Sequence, residues 1–180
     1  MNRKESTTMN FRTHLRLMAD WNAWCFHRLY AVVDRVREED YRRDYGLFFK
    51  SVHATLNHML LVEKMWLGRL TGELLAITGL DQELEPDRVR LKHRQMESAH
   101  AIGAYVKATP DEVLFAEFDY RATNGDPYTL LRAAAVHTLF THGAHHRGQV
   151  TTVLTQLGLE APVLDYPRFL ASLPKSDLYA

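Results

Sequence analysis

Four of the ten histidines fall in one short stretch, His137-Thr138-Leu139-Phe140-Thr141-His142-Gly143-Ala144-His145-His146-Arg147-Gly148-Gln149. A helix turns about 100° per residue, so side chains four apart stand about 40° apart on one face, near enough to share a metal ion. His142 and His146 have that spacing. His145 lies in line with Thr138, Thr141, Gly148, Gln149 and Thr152, a small and polar stripe, whereas His142 and His146 lie in line with Leu139, Val150 and Val153. His142 and His146 are therefore expected to point inward together, with His145 on the polar side.

Two imidazoles need a third partner, and the segment 47–70 offers His53 and His58. They are five residues apart, about 140° around a helix, so they cannot both face one point. His53 shares its stripe with Lys50, Asn57 and Lys64; His58 shares its stripe with Ala54, Thr55, Leu61, Val62 and Met65. His58 is expected to face inward and His53 outward. A single histidine on an apolar face is more often a hydrogen-bonded core residue than a ligand, so only the convergence of His58, His142 and His146 carries weight.

Three neutral imidazoles suit zinc or nickel first, with iron, manganese or copper as further options, and they leave coordination positions open for water or substrate. Gly143 stands where the helical metalloprotease pattern carries its general-base glutamate, which removes the main support for peptide hydrolysis. Glu63 lies on an apolar stripe with Leu56, Met59, Leu60, Trp66 and Leu70. It is expected either to orient a ligand histidine or to pair with an arginine such as Arg147 or Arg16. Cys25, flanked by Trp24 and Phe26, reads as a small buried residue rather than a nucleophile.

Helices must position these groups. Apolar residues recur at helical spacing from about Met9 to Val36, from about Leu47 to Leu70 and from about Tyr128 to Leu157, with a sparser helix from Pro86 to Ala108 that is expected to be the most exposed. Residues 1–8 read as a loose arm, Arg35–Tyr45 as a connector, and 71–86 as a loop. Between Pro110 and Pro127 a short helix followed by a small hairpin at Asn124-Gly125 is expected. The tail 159–180 is apolar enough to pack on the bundle or on a partner chain. The expectation is a single all-α domain over 1–180, a four-helix bundle, whose sites are built from inward side chains on facing helices.

Acidic and basic residues balance at 22 each, so no net field recommends nucleic acid or an anionic membrane as partner. No signal peptide is evident, no apolar run approaches the roughly 20 residues that span a bilayer, and one cysteine excludes an internal disulfide. A cytoplasmic protein acting on a small molecule is the expectation.

These residues together resemble the DinB/YfiT-like superfamily of metal-binding four-helix bundles. The resemblance rests on Trp21-Asn22-Ala23-Trp24, on Ser51-Val52-His53-Ala54-Thr55-Leu56-Asn57-His58 followed by Glu63 and Trp66, on His142-Gly143-Ala144-His145-His146-Arg147-Gly148-Gln149, and on Leu164-Asp165-Tyr166. It implies a divalent metal on His58, His142 and His146, with Glu63, His145 and Arg147 around it, and a homodimer. Similar proteins include transferases that use glutathione, mycothiol or bacillithiol. A thiol of pKa near 8.5 is mostly protonated at neutral pH, and coordination to a metal deprotonates it, so no protein nucleophile would be needed. Water activated in the same way would make a hydrolase the alternative. A non-catalytic bundle, stabilised by its metal or binding a partner, is the third expectation.

Overall fold

A computed structural model describes residues 10–178; the expected arm 1–8 lies outside the described residues. The chain is mostly helical with one small sheet, in the order α1 (Phe11–Val33), α2 (Glu38–Arg42), α3 (Val52–Thr71), α4 (Arg88–Ala108), α5 (Asp111–Leu114), β1 (Glu117–Arg121), β2 (Pro127–Leu131), α6 (Arg132–Gln156), α7 (Tyr166–Leu170) and a closing 3-10 turn at Lys175–Leu178. The four long helices meet in a ring, α1 on α4 and α6, α3 on α4 and α6. No helix among the described residues is long and apolar enough to cross a membrane.

Local chemistry sets the boundaries. Asn10 and Asp87 cap α1 and α4 by accepting from Thr13 and Arg90 amides, each at 2.8 Å. The second long helix starts at Val52 rather than near Leu47, because Ser51 accepts from the Ala54 amide at 3.1 Å and Leu47–Lys50 form a turn closed at 2.8 Å. Lys50 has φ 68°, in the left-handed region that residues other than glycine seldom occupy. The connector contains the short α2, and α1 stops at Val33, short of Val36.

The hairpin before the last long helix is present, with Tyr120 opposite Tyr128. Its second strand takes residues 128–131, which helical periodicity assigns to the last helix; that helix begins at Arg132. Tyr128 stacks on Tyr120 at 5.8 Å between ring centroids, a cross-strand pair that a helix would forfeit. As expected from its sparse apolar residues, α4 is the least buried long helix, with seven buried positions among 21.

Two apolar clusters fill the interior, one around Leu17, Met65, Val136 and Phe140, the other around Phe26, Leu56, Leu60 and Val153. Where they abut, α1, α3, α4 and α6 each contribute a buried polar residue: Asn22, Glu63, Gln95 and Arg147. Residues after α6 return along α1, where Trp21 donates to the Leu164 carbonyl at 2.8 Å and Phe169 is buried.

Candidate metal centre

His58 on α3 faces His142 and His146 on α6. Their ligand nitrogens all lie within 4.8 Å of one another, and His142 Nε2 is 3.0 Å from His58 Nε2 and 3.1 Å from His146 Nε2. The tautomers follow from the opposite edges of the rings. His58 Nδ1 lies 2.8 Å from the Leu80 carbonyl, which only accepts, so that nitrogen carries the proton. His146 Nδ1 donates to Gln149 Oε1 at 2.8 Å. Both therefore turn a bare Nε2 lone pair toward His142, whose Nε2 can supply at most one proton for two contacts. Such a set is poorly satisfied by hydrogen bonding alone and fits a cation.

Burial supports the same fit. Desolvation, the largest cause, pulls the His58 imidazole down to about 4 against the opposing Leu80 bond. Desolvation and the neighbouring His146, His58 and His145 pull His142 down to about 3. His146 is lowered by desolvation, opposed by its bond to Gln149. All three are neutral near pH 7, the form that coordinates metal.

Asn57, next to His58, builds the support on that side. Its Oδ1 accepts from the Leu84 and Glu85 amides, both at 2.9 Å, and its Nδ2 donates to the Glu85 carbonyl at 3.0 Å. Pinned there, the 72–87 loop carries the Leu80 carbonyl to His58. The same loop corrects the expected exposure of His53, which is only 4% exposed. Its Nε2 meets Glu83 Oε1 at 2.6 Å and its ring lies edge-on to Tyr41 at 5.2 Å. Its stripe is polar because it binds a loop and a short helix, not because it faces water. His53 is nonetheless apart from the three-histidine cluster.

His145 is exposed and flanks the centre: its ring lies edge-on to His146 with centroids 4.8 Å apart, and Gln149 Nε2 donates to its Nε2 at 3.3 Å. Glu63 reaches no site imidazole. Its oxygens accept from Asn22 Nδ2 at 2.9 Å and from Gln95 Nε2 at 2.6 Å. Asn22 Oδ1 in turn accepts from Arg147 Nη1 at 2.6 Å, so an amide stands between the carboxyl and the guanidinium. This brace ties α1, α3, α4 and α6 together one layer behind the histidines. Gly143 makes room for it, since a β-carbon there would lie 2.9 Å from Arg147 Nη1 and 3.3 Å from Asn22 Oδ1.

In front of the imidazoles opens a cavity of about 510 Å³. Phe49 stacks on His58 with ring centroids 3.8 Å apart and screens one face from water. Phe48, Met65, Trp66 and Tyr120 add apolar wall, and all three site histidines reach it. An apolar cleft with a few convergent polar groups is the usual form of a small-molecule site. The sequence pattern assigns no role to Gln149, Asn57 or the Leu80 carbonyl: the first two lie within the motif stretches around the histidines, and the last carries no local signal.

The model of the DinB family matches residues 4–176. The chain belongs to the DinB family. Protein DinB of Bacillus subtilis (strain 168) is 20% identical over 161 residues, spanning 84% of this chain and 90% of that protein. Family membership and the histidine cluster together fit a metal-binding protein.

Proposed function

We propose that this DinB-family chain is a four-helix-bundle enzyme that holds a divalent metal on His58, His142 and His146 and transfers a low-molecular-weight thiol to an electrophile. The observation that carries the reading is the pair of pinned rings, His58 on the Leu80 carbonyl and His146 on Gln149, which turn bare nitrogens toward His142. Three protein ligands leave room for an exchangeable fourth, as catalytic rather than structural sites do. When bound, the ion would supply Lewis acidity, lowering the pKa of a coordinated thiol or water.

The chain's own residues do the rest. Leu80 and Gln149 fix the ring orientations, Phe49 excludes water from one side of His58, and the cavity holds the reactants against the imidazoles. Buried Cys25 is withheld from the chemistry: its thiol lies 3.5 Å from the Leu164 carbonyl, away from the lining of this cavity. Zinc or nickel suits a neutral three-imidazole set best.

Mixing metal-loaded protein with glutathione, mycothiol or bacillithiol and a model electrophile tests the reading. Turnover that requires both a thiol and His142 supports it. Turnover that requires metal but ignores every thiol would instead favour the hydrolase.

A further inference from the structure

Among the described residues, the lining of the main cavity carries one permanent charge, Arg69, and no carboxylate. Arg69 follows His58 by eleven residues on α3, which brings it within about 20° of the same face and about 16 Å further along the axis. Val62 and Met65 line the cavity between them. Helical side chains lean toward the N-terminus, so Arg69 leans back toward the histidines.

Its guanidinium carbon lies 4.7 Å from the Trp66 ring centroid and 5.1 Å from that of Tyr120. These rings hold the guanidinium by cation–π attraction and leave its N–H donors without a protein acceptor. The other described arginines that are not exposed donate to carbonyls, carboxylates or an amide oxygen. Arg69 alone among them makes no hydrogen bond or ion pair. Partial burial, opposed by Tyr120, already weighs against its charge.

We propose that Arg69 is the anion-recognising residue of this cavity, receiving a carboxylate or similar group at the far end of a ligand whose near end meets the three histidines. The near end rests on the metal reading above; the far end rests only on the cavity and on Arg69. Either the thiol or the electrophile can carry the anion.

The test is calorimetric titration of zinc-loaded protein with ω-mercaptooctanoate and with ω-mercaptooctanamide, ligands of equal length that differ in charge. The acid is expected to bind about tenfold more tightly than the amide, and the two to come within about twofold in Arg69→Gln, with the amide's affinity unmoved. Arg69→Lys keeps the charge without the fork and is expected to fall between. Equal binding of acid and amide by the unmodified protein overturns the proposal, and so does an acid preference that survives in Arg69→Gln. So does a substitution that weakens both ligands equally, the mark of an arginine that only braces Trp66 and Tyr120.

Octanoate against octanamide, with saturating mercaptoethanol present, separates the sources. An Arg69-dependent acid preference there assigns the anion to the electrophile, and its confinement to the mercapto acid assigns it to the thiol. The same pair on chelator-treated protein separates the two readings. An Arg69-dependent preference in a protein that binds no zinc sinks the metal reading and sustains this one.

Discussion

Gln149 Oε1 holds His146 Nδ1 at 2.8 Å, one helical turn along α6. That bond sets which nitrogen of His146 turns inward, so it would tune metal affinity without touching a bound ion. Such outer partners are typically worth a factor of about 10–100 in affinity. Gln149→Ala is expected to weaken zinc binding by about that factor, measured against a competing chelator, with the helical circular dichroism unchanged.

Asn22 serves two partners that cannot reach each other. Removing it as Asn22→Leu leaves Glu63 and the buried Arg147 each short of a hydrogen bond, and Arg147 Nη2 already has no partner among the described residues. A loss of about 3 kcal/mol is expected in urea unfolding, in line with stranding a buried charged group.

Glu63 gives the stability a pH dependence. Complete burial, the largest cause, raises its carboxyl from 4.5 to about 7 against the bonds from Asn22 and Gln95. A group raised in the folded state contributes its full stability below its unfolded pKa and loses it as pH climbs through the folded value. The window therefore runs from about pH 4.5 to 7, and the loss approaches about 3 kcal/mol above it. Glu63→Gln removes the titration, and Gln95 Oε1, which has no partner, can accept from the new amide. Relative to the unmodified protein, the variant is expected to gain stability between about pH 4.5 and 7 and to level off above that; a flat difference across the window would contradict the assignment.

Cys25 is expected to be inert. Burial pushes its thiol up to about 11 despite Arg147 and Arg28 nearby. At about pH 8, iodoacetamide should modify the native chain at least about a hundredfold more slowly than the urea-unfolded chain. Comparable rates in the two states would show an accessible thiolate.

Much of the centre was legible because helical spacing fixes direction: the apolar stripes alone separate His58 from His53 and His146 from His145. Long-range support was not. Nothing local to Leu80 announces that its carbonyl crosses to His58, and the stripe of His53 reads as solvated until a loop folds over it. Periodicity starts α6 too early for a related reason, since Tyr128 suits either a helix or a strand and its partner Tyr120 decides. Ser51 was the legible boundary that periodicity overlooked, a capping residue at the head of α3.

The most direct measurement is elemental analysis of tag-free protein and of its His142→Ala form, each checked for helix content. About one divalent ion per chain is expected in the unmodified protein and almost none in the variant, with the helices intact in both. Stoichiometric metal retained by His142→Ala, or none in unmodified protein supplied with zinc and nickel, would contradict the three-histidine centre.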